Sequence, residues 1–129
     1  MQATSQDEPR GVLSIRTIAM PSNTNAYGDI FGGWLVCMMD MAAQIEGQRR
    51  AQCRVVTAAI NSLVFIKPVY VGDTVCCYAD LHRVGKTSMQ FKIEVWTLAL
   101  GQEGRKKVAE GEFTFVAIDE AGKPQPVDR

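Results

Sequence analysis

The chain has 129 residues, 47% of them hydrophobic and 22% charged, and its 14 basic side chains are balanced by 14 acidic ones. That size and mix describe one globular domain with a modest core. A net charge of zero gives no electrostatic case for nucleic acid or an anionic membrane as partner, and no apolar run approaches the roughly 18 residues that span a bilayer.

Residues 1–10 carry no basic and apolar signal regions and read as a disordered lead-in. Gly11–Met20 is rich in β-branched residues and partly alternating, which predicts a first strand. Pro21 ends it, and residues 21–32 form a loop rich in Asn and Gly. A helix follows from about Gly33 to about Arg50. Its first half, Trp34–Ile45, is apolar almost all round. The exceptions are Asp40 and Gln44, four residues apart and so on one face. A helix of this kind is expected to be buried. It therefore carries a carboxylate into a poor solvent, which is costly without a partner and needs a reason.

Four strands come next. Arg54–Lys67 is apolar on both faces and is closed by Pro68 and the turn at Val71-Gly72-Asp73. Thr74–Val84 is the second. In the third, Met89, Phe91, Ile93 and Val95 alternate strictly with Ser88, Gln90, Lys92 and Glu94. The fourth, Lys107–Ile118, puts Ala109, Phe113, Phe115 and Ala117 on one face. Gly85-Lys86 and Gly101–Gly104 are turn candidates between them. Residues 119–129 are polar and proline-containing and read as a loose tail, leaving a single domain over 11–118. This order predicts an α+β fold, with an antiparallel sheet of hairpin-linked strands curled around one long helix. A second copy of the chain is expected to cover the helix's remaining sides. Cys37, Cys53, Cys76 and Cys77 fit no zinc spacing, and Cys76 and Cys77 would point to opposite faces of a strand. They read as reduced thiols of a cytoplasmic protein.

The layout, together with Asn25-x-x-Gly28-Asp29-Ile30-Phe31-Gly32-Gly33-Trp34 and Met39-Asp40, resembles the hotdog-fold acyl-CoA thioesterases, in particular the short bacterial YciA-type enzymes. Thr17–Ser22, Arg54–Thr57, Phe65–Val69, Val71–Tyr78 and Ile93–Trp96 support it in the same order. The resemblance implies a β-α-β-β-β-β hotdog fold, paired into a dimer whose sheets join edge to edge, with three dimers in a hexamer. It implies hydrolysis of acyl-CoA to free coenzyme A and a carboxylic acid, with no metal and no redox cofactor. It places the catalytic carboxylate on Asp40 and the loop asparagine on Asn25, meeting across the dimer interface. Tyr27 departs from the pattern, since relatives usually have a small polar residue there. That departure bears on acyl-chain preference.

Each of these residues also has a plainer reading. Asp40 is a general base or nucleophile for thioester hydrolysis, or a structural carboxylate bonded to backbone amides or to Gln44. Gly32 and Gly33 offer the free N–H groups and positive dipole end of a helix to a thioester carbonyl and its oxyanion, with Gly33 as the catalytic donor and Gly32 on the substrate. Otherwise they mark a tight loop needing positive φ. Asn25 orients a water or the thioester oxygen, or shapes a turn. Asp29 is expected to stabilise the loop near the helix start. For the coenzyme A phosphates the candidates are Arg54, Lys67, Lys86, Thr87 and Ser88, whose charge and hydroxyl donors suit phosphate; Lys86-Thr87-Ser88 is preferred because it resembles the family there, and Thr57 completes the substrate-binding set. Cys37 lacks the His or cationic neighbour of a nucleophile and reads as packing. A dehydratase of this fold would need a histidine, and the only one, His82, lies far from Asn25–Asp40. A non-catalytic acyl-CoA sensor would keep the pocket without a working base.

Overall fold

The computed structural model describes residues 8–129, so most of the lead-in expected over 1–10 lies outside the described residues. Strand β1 (Val12–Ile18) is followed by a single 3-10 turn at Pro21–Asn23. Helix α1 (Gly32–Ala51) leads to β2 (Arg54–Phe65), β3 (Thr74–Val84), β4 (Ser88–Leu98) and β5 (Lys106–Ile118). The five strands form one sheet in the order β1-β3-β4-β5-β2, and every pairing is antiparallel. This is the hotdog arrangement that the resemblance implied.

One expectation about connectivity is corrected. Only β3–β4 and β4–β5 are hairpins. β2 sits at the far edge beside β5, away from β3. The reason is the helix, which crosses the inner face of the sheet and delivers the chain to the β5 edge. Residues 66–73 then carry it back. Gly72 N–H donates to Ala19 O at 2.9 Å and Ala19 N–H to Asp73 O at 3.0 Å, which sets the start of β3 beside the end of β1.

The core lies between α1 and the inner face of the sheet. Met89, Phe91, Ile93 and Val95 of β4 are buried there with Ala109, Phe113, Phe115 and Ala117 of β5, as the alternation requires. Phe91 and Phe115 meet edge to face, with centroids 6.3 Å apart. The helix contributes Leu35, Met39, Ala42, Ala43, Gly47 and Ala51, a single stripe at three- and four-residue spacing. In the single chain it is therefore not buried all round. Met41 and Ile45 face outward with Cys37, which is exposed and not packed as expected. Beside them, Val56, Ile60, Val64 and Phe65 of β2 are each 43–50% exposed.

The end of the chain is not a loose tail. Asp119 accepts the N–H groups of Ala121 and Lys123, each at 2.9 Å, which turns the chain. Gln125 N–H then donates to Ala117 O at 2.9 Å and Val127 N–H to Lys86 O at 2.8 Å, burying the Val127 side chain. Arg50 pairs with Asp128 at 2.7 Å. Arg129 donates to Ala51 O at 2.9 Å, supplying a partner to a carbonyl at the helix C-terminus.

Candidate active site

Asp40 projects from the middle of α1 on the side that faces β2. Thr57 Oγ1 donates to its Oδ1 at 2.7 Å. This answers the choice between partners: the carboxylate is held by a hydroxyl, not by Gln44 or backbone amides. Its Oδ2 has no partner among the described residues. Asp40 is half-buried in the single chain, on the margin of the apolar surface made by Met41, Ile45 and β2.

The loop before the helix is closed by its own backbone. Asn25 N–H donates to Asp29 O at 2.7 Å and Gly28 N–H to Asn25 O at 3.1 Å. Gly28 takes φ +87°, a value that favours glycine. Asn25 Oδ1 accepts the N–H groups of Tyr27 at 2.8 Å and Asp29 at 3.1 Å. The turn-shaping role of Asn25 is therefore real. It also leaves the amide NH2 unpartnered among the described residues and facing out as a donor. Among the described residues Asp29 is hydrogen-bonded through its backbone only. The helix is capped by Phe31, which makes no side-chain cap bond, and the first turn contains no acidic residue.

Gly32 and Gly33 begin the helix, and neither has positive φ, so the tight-loop reading of the pair fails. Their small size matters instead. A Cβ on Gly32 would stand 3.1 Å from the Phe65 ring, and one on Gly33 would stand 3.3 Å from the Phe31 ring. With no side-chain cap, the N–H groups of Gly32 and Gly33 have no partner among the described residues and are open to a ligand, whereas Trp34 N–H donates to Phe31 O at 3.1 Å. The open groups border a cleft of about 400 Å3 lined mainly by Ile30, Leu35, Phe65, Ile66 and Val69 beside Gly32. Phe65 was not singled out in the sequence, although it opens the Phe65–Val69 stretch that carried part of the resemblance.

The remaining candidates divide into two groups. Arg54 pairs with Ile118, and Ser88 pairs with Val116. Thr87 O accepts Ala117 N–H, and Lys86 O accepts Val127 N–H. Arg54, Lys86, Thr87 and Ser88 thus share one end of the sheet. Lys67 is at the other end, bonded through its backbone to Val108. Asp40 and the helix start are also apart, since Asp40 comes seven helical positions after Gly33, about 10 Å of rise. Within one chain, the carboxylate and its expected oxyanion donors do not meet. Burial pushes the Cys77 thiol up to about 12, with Cys76 adding to the effect, so Cys77 stays protonated near neutral pH. His82 is exposed on β3, 3.9 Å from Glu112.

Residues 27–102 match the family described as the thioesterase superfamily. The chain belongs to the thioesterase superfamily. Among similar proteins of this superfamily, the acyl-CoA thioester hydrolase YciA of Salmonella typhimurium is 46% identical over 127 residues, 96% of each chain. A hexameric thioesterase from Yersinia pestis superposes with a TM-score of 0.89 at 48% identity, covering 92% of this chain and 97% of that one. An Asp-to-Ala mutant of a hexameric, broad-specificity acyl-coenzyme A thioesterase also superposes at 0.89 and 48%, covering 93% of this chain and 88% of that one.

Proposed function

We propose that the protein hydrolyses acyl-CoA to free coenzyme A and a carboxylic acid, working as a homodimer with shared active sites and, through three such dimers, as a hexamer. The observation that carries this is the Asp40–Thr57 pair. It is a carboxylate fixed through one oxygen and open at the other, beside an apolar surface that the single chain leaves uncovered.

Strand β2 is an unpaired edge of twelve residues with no Lys or Pro to blunt it. Two copies joined antiparallel through this edge set the first half of one β2 against the second half of the other. Thr57, and with it Asp40, then lies near the partner subunit's Phe65, and so near the partner subunit's Gly32 and Gly33. The same operation sets the Arg54–Ser88 end beside the partner subunit's Lys67. One symmetry element supports both the catalytic and the phosphate-binding groupings.

The chemistry follows from these positions. Asp40 Oδ2 takes a proton from water as its oxygen bonds to the thioester carbon. The carbonyl π electrons move to oxygen, where the partner subunit's Gly33 N–H and the positive end of that helix hold the charge. The partner subunit's Asn25 offers its amide NH2 to the water or the thioester oxygen. Collapse breaks the C–S bond, and the leaving thiolate recovers the proton from Asp40. Direct attack by Oδ2 on the carbon would use the same groups. No step calls for a metal or redox cofactor.

The test is thiol release from acyl-CoAs of increasing chain length by the native protein and by Asp40→Asn. Loss of a positioned general base costs about 10^2- to 10^4-fold. Native turnover that survives Asp40→Asn would remove Asp40 from the chemistry. Acyl-CoA binding with no native turnover on any chain length would establish a sensor in place of an enzyme.

A further inference from the structure

Residues 119–129 fold back over one end of the molecule and have no part in the chemistry above. Ile118 bridges Pro124, and Gln125 Nε2 donates to Ile118 O at 3.0 Å. The segment then reaches two other elements. Val127 N–H donates to Lys86 O at 2.8 Å, and the Val127 side chain is only 3% exposed in the core. Asp128 accepts both guanidinium nitrogens of Arg50, in the last turn of α1, at 2.7 and 3.3 Å. Arg129 Nη2 donates to Ala51 O at 2.9 Å and to Gln52 O at 3.4 Å. Gln52 caps the helix with φ +56°, the only positive φ outside glycine among the described residues. Residues 119–129 thus form a strap that ties the β3–β4 turn to the C-terminal end of the helix.

That turn is the one that carries Lys86, Thr87 and Ser88. Gly85 N–H donates to Ser88 O at 2.7 Å and Ala117 N–H to Thr87 O at 2.9 Å. With the Val127 bond, the backbone carbonyls of all three residues are engaged. Their side chains have no hydrogen bond or ion pair among the described residues. A fixed backbone with free donors is preorganised, so less ordering has to be paid for when an anion binds. Arg54 follows Gln52 by two positions, so the bonds at Ala51 and Gln52 steady its approach as well. The electrostatics agree. The C-terminal end of α1 turns partial negative charge toward this end of the sheet, where it would repel phosphate. Arg129 offsets that charge at the last carbonyls. Arg50 neutralises Asp128 and holds its carboxyl below the usual range.

We propose that residues 119–129 are a positioning strap for substrate binding, in which Val127, Asp128 and Arg129 hold the Lys86–Ser88 turn in the shape that meets the coenzyme A phosphates. The strap touches no substrate and acts through the turn. This rests on the acyl-CoA reading and on the Arg54–Ser88 phosphate grouping above. It gives a role to a segment whose composition reads as a loose tail, and makes Val127, Asp128 and Arg129 positioning residues.

The test measures KM and kcat for an acyl-CoA and for the same acyl group on pantetheine, which lacks the nucleotide. Val127→Asp puts a charge in the buried seat of the strap and should free it. A second variant, Arg50→Gln with Asp128→Asn, breaks the exposed pair at constant net charge and carries the same comparison if Val127→Asp loses the native oligomer mass. In Val127→Asp the KM for acyl-CoA should rise about ten-fold, as for one lost charge-assisted hydrogen bond, with kcat and both constants for acyl-pantetheine within about two-fold of native. The pair variant should raise that KM by about two- to three-fold, and Arg50→Lys, which keeps the pair, should restore it. Lys86→Ala should raise the same KM, and combining it with Val127→Asp should give less than the product of the two effects, since both act through one turn. A folded strap variant with the native KM for acyl-CoA would overturn the proposal. Equal losses on both substrates would also overturn it, because they mark a strap that only stabilises the fold. So would fully multiplicative effects with Lys86→Ala. A Lys86→Ala protein of native KM would instead remove the phosphates from this turn, and a native protein that hydrolyses neither substrate would defeat the acyl-CoA reading.

Discussion

Replacing Thr57 by Val tests whether holding the carboxylate matters to catalysis. The change removes one hydroxyl and keeps the branched shape. Thr57 is exposed on an edge strand, so no buried polar group is created and the strand preference is kept. What is lost is the 2.7 Å bond from Oγ1 to Asp40 Oδ1, the only hydrogen bond to that carboxylate among the described residues. A hydrogen bond to a charged group is worth roughly 1.5–3 kcal/mol. If that restraint operates mainly in the transition state, kcat falls by about 10- to 150-fold, at 1.36 kcal/mol per decade. The assay is steady-state thiol release at saturating acyl-CoA, with far-ultraviolet circular dichroism and oligomer mass as controls for folding. Thr57→Ser keeps the donor and should remain within about three-fold of native. A Thr57→Val protein of native fold and mass with kcat within two-fold of native would refute the argument, because the carboxylate would then need no orientation.

Three further changes probe the assembly and the fold. Ile60→Lys puts a charge in the middle of the β2 edge; the chain should still fold, lose its dimer by light scattering, and lose thioesterase activity with it. Gly47→Ala should raise unfolding stability by about 0.5–1 kcal/mol in urea denaturation, since helix propensity improves and the new Cβ meets Val55 and Met89 at ordinary distances of 3.4 and 3.6 Å. Val127→Ala should cost roughly 1–2 kcal/mol in the same assay, the loss of two buried carbons near the end of the chain; no change would return residues 119–129 to a loose tail.

What the sequence revealed was set by the range of the interactions involved. β3 was legible to the residue, and β4 nearly so, because period-two alternation is local. The helix was legible in place but not in exposure, because only one stripe of it meets the sheet in the single chain. The site of β2 was not legible, since its pattern of apolar residues on both faces suits a central strand as well as an edge kept open for pairing. Glu94 alternates like a surface residue yet is buried, and it accepts a hydrogen bond from Arg10 N–H, 84 positions earlier. Asn25 was readable as a turn residue from its neighbours. The Thr57 bond to Asp40 closes over 17 residues and two elements, and no spacing rule contains it.

In the dimer proposed above, the same surface would explain why Asp40 and the helix start can be so widely separated in one chain. A monomer would show solvent a twelve-residue strand edge with Val56, Ile60, Val64 and Phe65 exposed, the Met41–Ile45 flank of the helix and a half-wet carboxylate. Exposed edges of this kind are normally blunted, because they recruit other strands. Here the edge carries Thr57 in its first half and Phe65 at its end, so in the proposed dimer the pairing that hides it would also bring a carboxylate to a helix N-terminus. Burial of the edge would exclude water from Asp40 and strengthen its interaction with the reacting carbonyl. On that proposal, assembly and chemistry depend on one set of contacts. A partly dissociated protein should lose activity in proportion to its monomer fraction, with the remaining dimers turning over at the native rate.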